Sequence, residues 1–115
     1  MHVLLDKNVP FGVVRFLREH RVETAEDRGW DLIGNGDLIQ AAEAAGFDAV
    51  VTADQNIVYQ QNLKGRRIAL VVLGSNIWPI VREYAGEIAG RVTSAIPGSY
   101  SFLEMPVPRK PRRGF

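Results

Sequence analysis

Ile68-Ala69-Leu70-Val71-Val72-Leu73 runs for six residues without a polar side chain. A strand with one face in water alternates apolar and polar residues. An unbroken apolar run of this length suits a strand covered on both faces, the usual condition in a parallel sheet. Working outward, two shorter runs carry the same signature: Ala49-Val50-Val51-Thr52 and, near the start of the chain, Val3-Leu4-Leu5. Arg21-Val22-Glu23-Thr24 alternates and reads as a short second strand. Residues 100–105 read as a final edge strand halted by Pro106 and Pro108.

Helical patterns fill the gaps. Pro10 opens a helix expected over 10–19, with Val13, Val14 and Leu17 on one face. Gly29, Gly34 and Gly36 break up an irregular stretch from 25 to 35. A helix over 36–45 buries Leu38, Ile39 and Ala42, and Gly46 closes it as a C-cap. A short helix is expected over 56–61, and a long one over 77–94 whose apolar stripe is Ile77, Val81, Tyr84, Ile88 and Val92. Strands alternating with helices predict an α/β fold, a largely parallel sheet covered on both faces and joined by right-handed crossovers. Ligands in such sheets bind beyond the C-terminal ends of the strands.

At 115 residues, the chain fits one domain, expected over 1–105, followed by a basic Pro/Arg-rich tail over 106–115. Hydrophobic residues make up 46%, enough for a core without staples. There is no cysteine, which excludes disulfides and thiolate metal sites and suits a reducing cytosol. No apolar run approaches the ~20 residues of a membrane span. The first residues read at once as a strand, not a signal peptide. A cytoplasmic protein without membrane contact is expected. The net charge of +1 hides an asymmetry. Arg109, Lys110, Arg112 and Arg113 supply four of the 14 basic residues, leaving 10 against 13 acidic ones, a body at −3. Such a tail either attracts phosphate backbones or is a solvated, disordered end.

Three apolar runs end in polar clusters: Asp6-Lys7-Asn8, Asp54-Gln55-Asn56 and Gly74-Ser75-Asn76. If the strands are parallel, all three lie along one edge of the sheet. Asp37, opening the second helix, can point at the same edge. Carboxylates pressed together repel, and a divalent cation relieves the repulsion. Mg²⁺ prefers oxygen and is often held by one or two carboxylates plus waters and a substrate phosphate. A metal held this way activates water and stabilises charge on a phosphodiester. Asn8, Asn56, Asn76, Thr52 and Ser75 are suited to orient waters or outer ligands. His2 and His20 stand at the wrong ends of their elements for a histidine site. The plainer reading of Asp6, Asn8, Asp54, Asn56 and Asp37 is helix capping or complementing a helix dipole. Trp30 and Trp78 are expected to be partly buried packing residues, since stacking on a base would need exposure. Tyr59-Gln60-Gln61-Asn62 is amide-rich and reads either as a solvated helix end or as a contact with a partner.

Leu5-Asp6-Lys7-Asn8-Val9-Pro10 resembles the opening "LDENxP" of bacterial PIN-like proteins related to PIN-domain toxins. Asp37-Leu38-Ile39 resembles that family's Asp at the start of a middle helix, and Val51-Thr52-Ala53-Asp54-Gln55-Asn56 its "VTxDxD" segment. The resemblance runs in order over residues 3 to 76. It implies a PIN-like three-layer α/β/α sandwich, Mg²⁺ or Mn²⁺ bound by Asp6, Asp37 and Asp54, cleavage of single-stranded RNA, and often a partner antitoxin. Lys7 stands where Glu is usual and Asn56 where a second Asp is usual. Each departure removes a carboxylate, so metal affinity should fall. Lys7 is placed either to approach a phosphate or to neutralise the pocket.

Three functions are therefore weighed. The first is a metal-dependent endoribonuclease, as the toxin of a toxin–antitoxin pair, with the basic tail holding RNA. The second is a PIN-like module that binds protein or RNA without cleaving, which the missing carboxylates favour. The third is a phospho-acceptor signalling domain using Asp6, Asp54 and Ser75. It lacks the Lys expected after the last strand, where Glu104-Met105-Pro106 stands. A homodimer fits a domain this small.

Overall fold

The three apolar runs become the three inner strands of one sheet, as their lack of alternation requires. A computed structural model describes residues 1–56, 63 and 65–106, apart from the side chain of Asn35. Residues 57–61 of the short helix expected over 56–61, the amide cluster Tyr59-Gln60-Gln61-Asn62, and Arg109, Lys110, Arg112 and Arg113 of the tail lie outside the described residues. The strands are β1 (His2–Leu5), β2 (Arg21–Thr24), β3 (Ala49–Thr52), β4 (Ala69–Leu73) and β5 (Tyr100–Leu103). All are parallel, in the order β2-β1-β3-β4-β5. Leu5 pairs with Val51, Thr52 with Val72, and Leu73 with Leu103, so the C-terminal strand ends form one rim.

Side chains on a strand point alternately to its two faces, and the core divides accordingly. Val3, Leu5, Val51, Val71 and Leu73 pack on one face with Val13, Leu17, Ile88 and Val92. Leu4, Val50, Leu70 and Val72 pack on the other with Leu38, Ile39 and Ala42. Helix α1 (Asn35–Ala44) therefore covers one face, and a 3-10 helix over Phe11–Leu17 with helix α3 (Ala85–Thr93) covers the other. The result is the expected three-layer α/β/α sandwich. Each fully buried Leu, Ile or Val contributes roughly 1.5–3 kcal/mol, so the inner strands anchor both layers. Among the described residues, no helix is long and apolar enough to cross a membrane.

Local chemistry explains where helices depart from the sequence pattern. The segment after Pro10 is a 3-10 helix of seven residues, not an α-helix over 10–19. Gly12 and the β-branched pair Val13-Val14 are weak helix formers. The missing side chain of Gly12 also leaves room for Trp78, whose ring would lie 2.3 Å from a Cβ there. The long helix expected over 77–94 is divided into α2 (Trp78–Val81), a 3-10 turn at Arg82–Tyr84, and α3. Ile77 is the extended N-cap residue of α2 and is exposed instead of joining the stripe, because Pro79 fixes the helix start one residue later. Val81, Ile88 and Val92 are buried as expected. At the end of α1, Gly46 adopts φ 88°, and the Gly46 and Phe47 amides donate to Glu43 and Ala42 carbonyls, a Schellman closure.

Candidate functional site

The chain leaves β1 for β2 on one side of the sheet, then returns to lay β3 on the other side of β1. The crevice above the C-terminal ends of β1 and β3 is therefore the topological switch point, where ligands of open parallel sheets bind. Asp6 directly follows β1, and its amide donates to the Val51 carbonyl at 2.9 Å, so the residue continues the β1–β3 ladder. That places its side chain beside Thr52.

Asp6 is 6% exposed and Thr52 is fully buried. The Thr52 hydroxyl donates to Asp6 Oδ2 at 2.7 Å, and the Lys7 amide donates to Asp6 Oδ1 at 2.8 Å. Asn8 Oδ1 lies 3.4 Å from the same hydroxyl, but its single proton serves the nearer carboxylate. Asn8 Oδ1 instead accepts from the Ala53 amide at 2.9 Å. Thr52 Oγ1 also accepts from the Asp54 amide at 3.1 Å, so Thr52 joins the two aspartates. Asp54 Oδ1 accepts from the Asn56 amide at 3.0 Å, an Asx turn that shapes the loop after β3. Asp6, Asn8, Thr52 and Asp54 thus form one hydrogen-bonded cluster.

The capping alternative fares differently at each position. Neither Asp6 nor Asn8 caps the helix that follows, whose N-cap is Pro10 without a side-chain bond. Their bonds run across to the β3 end instead. Asp54 supports its own turn. Asp37 lies exposed in the first turn of α1, where it complements the helix dipole. Among the described residues, no three His, Cys, Asp or Glu side chains are grouped so as to hold a metal, so Asp37 does not complete such a group with Asp6 and Asp54 as the side chains stand.

Ser75 and Asn76 sit at the neighbouring strand end. Ser75 is buried, and its Oγ accepts from the Ile77 amide at 3.1 Å, setting the entry to α2. Asn76 is exposed. Both line a 250 Å³ pocket with Ala53, Gln55 and Ile77. Gln55, not singled out from sequence, donates its side-chain amide to the Gly74 carbonyl at 2.9 Å and ties the β3 end to the β4 end. Its only signal was its place between Asp54 and Asn56.

Electrostatics separate Asp6 from the other inward-facing acids. Glu23 meets Arg28 at 2.9 Å and also bonds to His2; these hydrogen bonds, Arg28's first, hold its carboxyl at about 2. Glu43 accepts from the Arg67 amide and pairs with Arg66 at 2.9 Å, which lowers its pKa. Asp6 has only two neutral donors and no ion pair among the described residues. Lys7 does not neutralise it: the Lys7 side chain is exposed, and only its backbone amide reaches the carboxylate. A buried charge is normally paired or bound to a metal. The oxygens gathered here are of carboxylate, amide and hydroxyl type, the donors that hard cations prefer. The chain matches no protein-family model, no curated protein and no solved structure.

Proposed function

We propose that this chain is a metal-dependent endoribonuclease of PIN-like type, cutting single-stranded RNA at the rim above β1 and β3, as the toxin partner of an antitoxin protein. The observation that carries the reading is Asp6, a nearly buried carboxylate at the switch point with no cation beside it among the described residues. In the proposed site, Asp6 and Asp54 hold Mg²⁺ or Mn²⁺, and the exposed Asp37 side chain would have to turn from its present position to join them. The bound ion would supply an activated water and charge neutralisation at the phosphodiester. Thr52 and Asn8 keep the carboxylates and the loop after β3 in place. Lys7, exposed next to Asp6, approaches the RNA backbone, and Arg109, Lys110, Arg112 and Arg113 add to that attraction.

The second reading, a PIN-like binding module without cleavage, is favoured by one observation: no three acids are grouped for a metal among the described residues. One experiment separates the two. Millimolar Mn²⁺ should raise the melting temperature of the wild type, since a ligand at 100 times its Kd stabilises by roughly 2.7 kcal/mol. It should also support cleavage of a single-stranded RNA, and Asp6→Asn should lose both effects while remaining folded. A wild type that neither gains stability nor cleaves RNA in Mn²⁺ leaves only the binding module.

A further inference from the structure

A second feature of the rim is a pair of hydrogen-bond donors on one side chain. Asn8 is half-buried, and its side-chain contacts run through Oδ1: the Ala53 amide donates to it at 2.9 Å, and the Thr52 hydroxyl lies 3.4 Å away. A backbone N–H can be met only by an acceptor. The bond from Ala53 therefore fixes which branch of the Asn8 side chain is oxygen and which is nitrogen. Nδ2 and its two protons take the other branch, where they meet no acceptor among the described residues. Among those residues no buried side-chain nitrogen or oxygen lacks a partner, so Nδ2 faces solvent.

The position of these donors selects their ligand. Thr52 Oγ1, which lies 3.4 Å from Asn8 Oδ1, is 2.7 Å from Asp6 Oδ2. The amide thus stands one hydroxyl away from the nearly buried carboxylate. An ordinary exposed amide turns freely and loses that freedom on binding. Asn8 is already tied to the end of β3, so its NH₂ group meets a ligand with little rotamer entropy left to lose. Two N–H groups call for an acceptor, and an anion accepts most strongly. The neighbouring Lys7 side chain is exposed and adds a positive charge. A cation on Asp6 would draw a phosphate to the same place.

We infer that the Asn8 side-chain amide is a phosphate-binding donor, holding an oxygen of an RNA phosphodiester through Nδ2 while Oδ1 holds Ala53. The choice of RNA phosphate rests on the nuclease reading. Binding is read apart from cleavage, by titrating fluorescein-labelled octauridine into the full chain with Ca²⁺ in place of Mn²⁺ and following anisotropy. Asn8→Asp keeps an acceptor for the Ala53 amide and removes both donors. It should weaken binding about 10- to 100-fold, the usual worth of a hydrogen bond to a charged group. Asn56→Asp adds the same charge to the exposed loop after β3 without removing a fixed donor, and should weaken binding far less. In ¹H–¹⁵N spectra of the wild type, the Asn8 side-chain amide protons, assigned through the residue's own backbone, should move downfield as octauridine is added.

A wild type that does not bind octauridine, or amide protons that stay in place, overturns the inference. So does an Asn8→Asp protein that binds as tightly as the wild type, or an Asn56→Asp protein that loses as much as Asn8→Asp, since charge alone would then explain the loss. Acetate that moves the Asn8 amide as far as octauridine does would make it a donor for carboxylates and remove the RNA assignment. Mn²⁺-dependent cleavage that Asn8→Asp retains leaves the nuclease reading standing without this contact. Asn8-dependent binding without any cleavage leaves the phosphate donor standing and removes the nuclease.

Discussion

Thr52→Val tests the cluster most directly because it changes polarity at nearly constant volume. The side chain is fully buried, so no water can replace the hydroxyl without rearrangement. Two bonds are lost: the donation to Asp6 Oδ2 at 2.7 Å and the acceptance from the Asp54 amide at 3.1 Å. The first serves a buried carboxylate and is of the charge-assisted kind, worth roughly 1.5–3 kcal/mol. The second orphans an amide at a half-buried position and adds about 1 kcal/mol at most. The expected loss is therefore about 2–4 kcal/mol. Thr52→Ser keeps the hydroxyl and removes one methyl, which costs about 0.5–1.5 kcal/mol by analogy with Ile→Val. Urea denaturation of the three proteins at neutral pH gives both differences, with equal m-values as the check that only the native state changed. Valine as stable as serine, or more so, would refute the reasoning. Asp6 would then gain nothing from its hydroxyl partner, and the cluster would be a by-product of strand register.

Two other perturbations probe separate features. Gly12→Ala gains up to about 1 kcal/mol in helix propensity, but its Cβ would meet the Trp78 ring at 2.3 Å, and overpacking costs about 1–3 kcal/mol. A net loss of stability and a red shift in tryptophan emission as Trp78 is displaced are expected, and unchanged emission and melting would contradict the packing described. Glu23 has a folded pKa of about 2 against an ordinary 4.5, chiefly through Arg28 and then His2. Between those values the unfolded chain binds more protons, so this group's contribution is whole above pH 4.5 and is lost as pH falls towards 2. Glu23→Gln should flatten stability against pH in that window, and an unaltered acid limb in urea titrations at successive pH values would exclude the pair as its source.

The inner sheet was legible because the run 68–73 and its two shorter companions do not alternate apolar with polar residues, as a strand with one face in water would. Their burial on both faces suited a parallel arrangement, and the polar clusters at 6–8, 54–56 and 74–76 that follow the runs marked the rim. Strand order was not legible: nothing in Val3-Leu4-Leu5 says that β2 lies on one side and β3 on the other. The helices were read by period and by Pro and Gly punctuation, which miss events decided by contact. Gly12 stands inside the expected helix, and its absent side chain accommodates Trp78. Ile77 matched the stripe by spacing, yet Pro79 sets the helix start after it. Within the site, Thr52 meets Asp6 because the register Leu5↔Val51 makes them neighbours on adjacent parallel strands, and it meets the Asp54 amide through a local turn two residues on. Asp37 comes from a helix whose rotation relative to the rim depends on packing, which no local pattern encodes.

Glu23, Glu43 and Asp6 divide by their surroundings. Glu23 meets the Arg28 guanidinium, and Glu43 meets first the Arg67 amide and then the Arg66 guanidinium, which holds both carboxyls below their ordinary pKa. Asp6, more deeply placed than either, has a hydroxyl and an amide instead, although the next residue in the chain is a lysine. Stability alone would favour an apolar residue at this position, like Leu4 and Leu5 before it, or a paired charge. Turning the Lys7 side chain outward while the Lys7 amide fixes the carboxylate leaves negative charge concentrated at the one point of the sheet where the topology opens a crevice. Neutral donors hold such a carboxylate in place without cancelling its charge, and that is the condition under which an incoming cation gains most from it.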